Sequence, residues 1–318
     1  MKKKIDTDRV EFTKDMKDYT LLAPNMADVH FSMLGNIFTQ YGYKAELLKN
    51  DGRAVVDEGL KYVHNDTCYP ALLVIGQFID ALNSGKYDTH KVALLLSQTG
   101  GGCRASNYIA LLRKALIKAG YGYIPVISLN FSGLESSPGF KITLPMLHRM
   151  MYGVFYGDLL MLLRNQCRPY EINIGDTEKL CEKWTKKLVE EMKDKGVKYS
   201  CVKKNYKAIV EDFNNIPRNK EKRVKVGIVG EIFVKFSPLG NNNLEDFLVR
   251  ENESLLTLVN VDDLNFQSLT GKCVEIFNIL EGKLRSGDEC TDASAICNQT
   301  ALDNFLNSSG DQATFFVC

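Results

Sequence analysis

Apolar runs alternate with helical patterns over roughly the first 130 residues of the chain. The runs that indicate strands cover residues 19–23, 44–48, 91–97 and 123–129. The run KVALLLS is apolar on both faces, which is typical of a central strand in a parallel sheet. Apolar residues at helical spacing predict helices over 30–41, 54–63, 71–82 and 105–119. This alternation predicts an α/β domain with a parallel sheet, of the Rossmann or flavodoxin-like type.

The pattern becomes helical over residues 143–213. A broad apolar stripe covers 144–163, and charged residues interrupt it, so we interpret it as a buried core helix. A second, amphipathic helix is predicted over 176–195. The polar stretch 214–222 contains a proline and has the character of a linker. We therefore predict a first domain over 1–220, in which the α/β part carries a helical extension.

The strand pattern restarts after this linker. Residues 223–234 predict a strand, which is followed by a loop over 237–243 and a helix from Leu244. After about residue 250 the regular alternation is lost. The sequence therefore predicts a second α/β domain over 221–318 that is incomplete, being atypical or truncated in its last part.

Charge and hydropathy exclude several classes of protein. The sequence has 40 basic and 39 acidic side chains, a net charge of +1, which does not favour binding to nucleic acid by bulk charge. The N-terminus MKKKID has no apolar stretch behind it and does not resemble a signal peptide. No apolar run is long enough to span a bilayer. We expect a cytoplasmic protein without a membrane or nucleic-acid partner.

Two of the nine cysteines occupy positions that suggest metal binding. In a chain without an export signal, cysteines are more often free thiols or metal ligands than disulfides. Cys68 immediately precedes the helix at 71–82, and Cys103 lies on the glycine-rich turn after the strand at 91–97. Topology places both at the carboxyl edge of the sheet, and a helix N-terminus favours the metal-binding thiolate. We predict that both bind metal and that Cys167 is structural.

The turn before the helix at 105–119 reads TGGGCRASN. Gly100, Gly101 and Gly102 allow the backbone to approach a bulky cofactor, and Ser106 and Asn107 are candidates to hydrogen-bond it. The turn has neither the lysine and hydroxyl of a mononucleotide P-loop nor the spacing of a dinucleotide fingerprint. A purely structural glycine turn stays open as an alternative. No residue is assigned a catalytic role.

Polar residues flank these positions. Asp66 or Thr67 is expected to cap the helix after Cys68, and Pro70 suits its first turn. Asn130 ends the strand at 123–129, so topology places it in the same crevice as the cysteines.

Three stretches carry a resemblance to a known family: GLKYVHNDTCYPALLVIGQFIDALNSGKYD, LLLSQTGGGCRASNYIALLRKAL and PVISLNFSGLESSPGFKITLPML. They resemble the C-terminal iron–sulfur region of the proteins related to 2-hydroxyacyl-CoA dehydratase activases. The wider group includes the 2-hydroxyacyl-CoA dehydratase subunits and the double-cubane cluster proteins. The resemblance covers about residues 10–248.

The resemblance implies an iron–sulfur cluster that is held between α/β domains by cysteines from separate loops. Cys68 and Cys103 correspond to two ligands, and a third is expected from the second domain. A 4Fe–4S cluster is the first expectation, and a double-cubane cluster is the alternative. The chain would accept low-potential electrons from an ATP-dependent activase, for dehydration of an acyl-CoA or another difficult reduction. It would thus belong to a lyase or reductase system of anaerobic metabolism.

The expected partners are an actin-like ATPase activase module or a homologous subunit, an acyl-CoA and a second copy of the chain. The chain has no counterpart of the actin-like ATPase module, so ATP hydrolysis is not assigned to it. After NNNLEDFL at 241–248 the chain departs from the family pattern, which leaves the third ligand unassigned. Two other functions stay open: a metal-free domain that binds nucleotide or CoA, and a non-catalytic scaffold for an actin-like ATPase.

Overall fold

The computed structural model describes residues 9–64, 66–98, 104–130, 135, 137–220, 223, 225–229, 232–251, 254–256 and 314–317. The chain forms two compact units. The first consists of Met1–Met150 and Glu231–Asn243, and the second of Met151–Gly230 and Leu244–Cys318. The predicted boundary near residue 220 falls inside the second unit, and a division into domains at that point stays a prediction.

The first unit is built on a four-stranded parallel sheet. Its strands are β1 (Thr20–Ala23), β2 (Lys44–Leu47), β3 (Val92–Ser97) and β4 (Val126–Leu129), in the order β2-β1-β3-β4. β1 pairs with both β2 and β3, and β3 pairs with β4, each time in parallel. All four strands lie within the apolar runs that predicted them, and the α/β class with a parallel sheet is confirmed.

Helices connect these strands as the apolar spacing predicted. They are α1 (Asp28–Gln40), α2 (Arg53–Tyr62), α3 (Tyr69–Asn83) and α4 (Tyr108–Lys118), and a 3-10 turn (Arg104–Asn107) precedes α4. α3 is the most buried of them, since its apolar residues continue around the helix. It forms the centre of the first unit's hydrophobic core together with β3 and the buried face of α4.

Cys68 is the N-cap of α3, so the prediction that Asp66 or Thr67 caps this helix was wrong. The Thr67 amide donates to the His64 carbonyl (3.0 Å), which places Thr67 in a turn before the helix. The Cys68 carbonyl accepts the first helical bonds, from Ala71 and Leu72 (3.0 and 3.3 Å). Pro70 lies in the first turn as predicted.

The described residues between 225 and 243 contain less strand and more helix than the sequence predicted. The predicted strand at 223–234 is reduced to β5 (Lys225–Val229), and α8 (Ile232–Phe236) follows it. The predicted loop contains α9 (Pro238–Asn241). Here the Ser237 hydroxyl accepts a hydrogen bond from the Gly240 amide, and Pro238 starts the helix.

Several helices and a second parallel sheet lie in the second unit. α5 (Leu144–Cys167) ends there, and α6 (Asp176–Lys195) and α7 (Tyr199–Asn214) follow. The prediction of α6 is confirmed. Its Trp184 is buried, and the indole N–H donates to an Asp212 carboxylate oxygen (3.0 Å).

The second sheet has the order β6-β5-β7 and is also parallel. β6 is Ser254–Leu256, β7 is Thr314–Val317, and α10 (Leu244–Arg250) contributes Leu248 to a small apolar cluster with β5. The strand predicted at 255–261 is described only up to residue 256, and the helix predicted at 274–280 lies outside the described residues. Across the parts of the chain that the structure describes, no helix is both long and apolar enough for a membrane span.

Candidate functional site

The strand order creates a switch point in the first sheet. β1 and β3 are neighbours, but the chain passes through β2 between them. At such a point, the connections leave the carboxyl ends of neighbouring strands in opposite directions and open a crevice. The start of α3, which leads into β3, and the start of α4, which follows β3, both lie at this edge.

Cys68 and Tyr108 meet at the carboxyl edge of the first sheet. The Cys68 Sγ atom lies 3.0 Å from the Tyr108 hydroxyl oxygen, and either atom can donate the hydrogen. The Cys68 thiol is free and half-buried. Tyr108 is the first residue of α4 and follows Cys103 by five positions in the sequence. The contact therefore holds the N-terminus of α3 against the start of the helix that follows the glycine-rich turn.

The structure describes only some of the predicted site residues. Cys103 and Gly100, Gly101 and Gly102 lie outside the described residues. Ser106 is half-buried, and its carbonyl accepts a hydrogen bond from the Gln98 side-chain amide (2.9 Å). Asn107 is exposed and precedes Tyr108 directly. The described members of the predicted site are thus close to Tyr108 along the chain.

A series of polar side chains connects the ends of β3 and β4. Ser128 donates to the Gln98 side-chain oxygen (2.7 Å), and the Asn130 side-chain amide donates to the Ser128 hydroxyl oxygen (2.9 Å). The same Asn130 amide donates to the Glu135 carbonyl (3.0 Å). Asn130 therefore lies at the carboxyl edge, as topology predicted, where it holds the Glu135 carbonyl.

Arg113 of α4 binds the carboxylate of Glu135, whose backbone carbonyl is held by Asn130. Two guanidinium nitrogens donate to the two carboxylate oxygens (3.0 and 2.8 Å), and Arg9 lies 3.8 Å from one of these oxygens. Burial acts to raise the pKa of the Glu135 carboxyl, but the hydrogen bonds and charge of Arg113 and the charge of Arg9 outweigh it, so the pKa is lowered. Glu135 is ionised and fixed in place.

The other described cysteines have different environments. Cys167 is buried, with its Sγ 3.7 Å from the Phe213 carbonyl oxygen and 3.7 Å from an Arg218 guanidinium nitrogen. Burial raises the pKa of the Cys167 thiol, and it raises that of Cys181 to about 12. Thiols of this kind are inert, which agrees with the structural role predicted for Cys167. Cys201 is exposed on α7.

A metal centre cannot be built from the described residues alone. Among them, no three His, Cys, Asp or Glu side chains form a group that could hold a metal ion. Cys103 lies outside these residues, as do Cys290 and Cys297 of the C-terminal region, and the third ligand stays unassigned. The metal-ligand roles of Cys68 and Cys103 therefore stay predictions.

A separate groove of about 580 Å³ lies along β2, an outer strand of the first sheet. Its lining includes Asn36 of α1, Glu46 of β2 and Asp80 of α3. Cys68, Ser106 and Asn107 do not contribute to it. This groove is therefore a different feature from the crevice around Cys68.

Sequence analysis missed Tyr108 and the pair formed by Arg113 and Glu135. Tyr108 had a usable signal, since it is a hydroxyl-bearing residue at the start of a helix directly after a glycine-rich turn. The pairing of Arg113 with Glu135 joins residues 22 positions apart, and nothing in their local sequence indicates it.

The chain was compared with protein-family models, with curated proteins and with solved structures, and nothing matches in any of the three comparisons.

Proposed function

We propose that the chain is an iron–sulfur redox module of the 2-hydroxyacyl-CoA dehydratase and activase type. Cys68 and Cys103 are two of the cluster ligands in this proposal, and an ATP-dependent activase supplies low-potential electrons. The contact between the Cys68 Sγ and the Tyr108 hydroxyl carries the proposal. It supports a shared location for Cys68 and the turn of Cys103, because only a few residues separate that turn from Tyr108.

The environment of Cys68 suits a cluster ligand. Its thiol is free and half-buried, and it stands at the N-terminus of a 15-residue helix. The Tyr108 hydroxyl can donate a hydrogen bond to a ligand sulfur, which is one of the ways in which proteins adjust the potential of a cluster. Gly100, Gly101 and Gly102 would allow close approach of the backbone, with Ser106 and Asn107 beside them.

The topology supports the same proposal. The order β2-β1-β3-β4 agrees with the first four strands of the flavodoxin-like order, so we assign the first unit to that architecture. A 4Fe–4S cluster is the proposed type, with a double-cubane cluster as the alternative. The proposed reaction is dehydration of an acyl-CoA or a related reduction. The proposed partners are an actin-like activase or a homologous subunit.

The test is the iron and acid-labile sulfide content per chain after anaerobic reconstitution. Wild type should hold both, and Cys68→Ala and Cys103→Ala should each lose most of the iron and sulfide. Cys201→Ala is the matched control, since it removes an exposed thiol from α7 and should leave the content unchanged. Cys290→Ala asks whether the third ligand comes from the C-terminal region.

Two results would overturn the proposal: wild type without iron, or a full complement of iron in both Cys68→Ala and Cys103→Ala. The metal-free alternative then predicts that CoA or a nucleotide raises the melting temperature, and that the increase survives both cysteine substitutions.

A further inference from the structure

Gln98 is the first residue after β3, and it bonds to two neighbouring segments at the carboxyl edge. Its backbone amide donates to the Leu129 carbonyl at the end of β4 (3.0 Å), which fixes the point from which the side chain starts. The side-chain amide donates to the Ser106 carbonyl (2.9 Å), and the side-chain oxygen accepts from the Ser128 hydroxyl (2.7 Å). The two ends of one amide group therefore connect β4 to the 3-10 turn that precedes α4.

The direction of these hydrogen bonds follows from the carbonyl group at each end of the series. A carbonyl can only accept, so the Gln98 nitrogen faces Ser106 and the Asn130 nitrogen faces Glu135 (2.9 and 3.0 Å). Ser128 lies between them, donates its hydroxyl hydrogen to the Gln98 oxygen and accepts from Asn130 (2.7 and 2.9 Å). A change at one of these side chains therefore affects the others.

The series returns to the helix whose start it holds. Glu135, whose carbonyl accepts from Asn130, is bound through its carboxylate by Arg113 of α4 (3.0 and 2.8 Å). The turn before α4, the ends of β3 and β4, and α4 itself are thus connected in one hydrogen-bonded series. Tyr108 lies in the sequence between the two points of attachment, Ser106 and Arg113. Both sides of Tyr108 are therefore held to the sheet.

We propose that Gln98 is a positioning residue that holds Tyr108 in contact with the Cys68 thiol. A single residue separates Ser106 from Tyr108, so a displaced Ser106 carbonyl moves the Tyr108 hydroxyl away from the Sγ atom, which lies 3.0 Å from it. In one respect the inference rests on the proposed function. With a cluster bound at Cys68, the Tyr108 hydroxyl acts on the reduction potential, and Gln98 acts on it through Tyr108.

The first experiment uses the iron-free full chain. Hydrogen exchange followed by mass spectrometry reports on local opening of the first turns of α4. Gln98→Leu leaves the Ser106 carbonyl without its donor, so the amides of residues 109–112 should exchange several-fold faster than in wild type. The amides of α1 should keep their rates. Gln98→Glu should have the same effect as Gln98→Leu, because a carboxylate cannot donate to a carbonyl.

Ser97→Ala is the matched control, since Ser97 is an exposed residue at the end of the same strand. The first turns of α4 should exchange at the wild-type rate in this variant. Ser128→Ala removes the donor to the Gln98 oxygen and should give part of the increase. Ser128→Thr keeps a hydroxyl and should restore the wild-type rate.

The second experiment separates positioning from a general loss of stability. In protein reconstituted with iron and sulfide, Tyr108→Phe and Gln98→Leu should each lower the reduction potential, because each removes the hydroxyl contact with the ligand sulfur. The two shifts should not add, so Tyr108→Phe combined with Gln98→Leu should lower the potential no further than either change alone. A substitution that only destabilises the fold would leave the effect of Tyr108→Phe in place.

An unchanged exchange rate at the start of α4 in Gln98→Leu would overturn the inference, whatever the iron content. Shifts in potential that add in the double variant would also overturn it, since Gln98 would then act independently of Tyr108. A wild type that takes up no iron would instead overturn the proposed cluster, and the exchange rates would still decide whether Gln98 holds Tyr108 in place.

Discussion

The Tyr108 hydroxyl, 3.0 Å from the Cys68 Sγ, is the residue-scale contact with the clearest consequence for the proposed cluster. A hydrogen bond to a ligand sulfur withdraws electron density and raises the reduction potential. We therefore predict that Tyr108→Phe lowers the potential of the reconstituted protein while its iron and sulfide content stays the same. A redox titration followed by EPR measures the potential, and iron analysis measures the content.

Tyr123→Phe serves as the control for this substitution. Tyr123 is 42% exposed, and its hydroxyl lies 2.9 Å from the Thr89 hydroxyl rather than from a cysteine. The reduction potential of the reconstituted Tyr123→Phe protein should equal that of wild type. A potential in Tyr108→Phe that also equals wild type would show that the hydroxyl does not act on the cluster.

Glu135 makes a second residue-scale prediction, on stability. Its two hydrogen bonds to Arg113 lie in a site where both side chains are about one-fifth exposed or less. Glu135→Gln removes the charge and should lower the free energy of unfolding by about 1–2 kcal/mol at neutral pH, between the values for exposed and fully buried pairs. Urea unfolding of wild type and variant measures the difference.

The pH dependence of that difference has a definite sign. The pKa of Glu135 in the folded chain is below its usual value of 4.5, so the ionised carboxylate stabilises the folded state. The contribution is complete above pH 4.5 and is lost as the pH falls through the lowered pKa. The difference in the free energy of unfolding between wild type and Glu135→Gln should therefore become smaller as the pH falls through that range. For Glu11→Gln, at an exposed carboxylate, the difference in unfolding free energy from wild type should be small. A difference for Glu135→Gln that does not change with pH would contradict the prediction.

At the scale of elements, two glycines allow α2 and α3 to pack in close contact. A Cβ atom on Gly76 would overlap the Val55 carbonyl oxygen and lie 2.8 Å from the Gly59 nitrogen, and both of these atoms belong to the backbone of α2. Backbone atoms cannot move aside as a side chain can. Gly76→Ala should therefore separate the two helices and lower the free energy of unfolding by about 1–3 kcal/mol.

Gly35→Ala is the matched control for this packing. Gly35 lies inside α1, and a Cβ atom there would have no neighbour within 4 Å. Alanine is the better helix former, so this variant should gain about 0.5–1 kcal/mol. Chemical denaturation distinguishes the two effects, and equal stability of the two variants would contradict the packing argument.

The elements of the first sheet could be predicted because local patterns determine them. β3 is apolar on both faces, and α3 has a proline in its first turn. Short stretches of sequence are therefore sufficient to predict these two elements. α8 could not be predicted in this way. Residues 232–236 are mostly apolar, a composition that is equally typical of a strand. They form a helix in which Phe233 packs in the core of the first unit, and Ser237 directly after it is the N-cap of α9.

The candidate site was predictable to a smaller extent. The edge location of Cys68 and Asn130 follows from topology alone, because connections at the carboxyl ends of parallel strands converge. The contact of Cys68 with Tyr108 and the buried state of Lys235 depend on distant segments. Residues 68 and 108 are 40 positions apart. Lys235 belongs to the first unit, although the last strand of that unit's sheet ends far earlier in the sequence, at Leu129. Such contacts have no local sequence pattern.

At the scale of the whole molecule, each unit has its own apolar core and its own parallel sheet. The first unit is discontinuous, since the chain returns to it at residues 231–243 after forming α6 and α7 in the second. Separate cores indicate that a destabilising substitution in one unit acts mainly on the unfolding of that unit.

The single tryptophan of the sequence makes this testable. Trp184 lies buried in α6 and reports on the second unit, whereas far-UV circular dichroism reports on helices of both units. We predict that Gly76→Ala shifts the dichroism transition in urea to lower concentration and leaves the Trp184 fluorescence midpoint nearly unchanged. Leu188→Ala, in the buried face of α6, should instead lower the fluorescence midpoint, at a cost of about 2–4 kcal/mol. If both probes shift together in both variants, the two units unfold as one cooperative structure and the prediction is wrong.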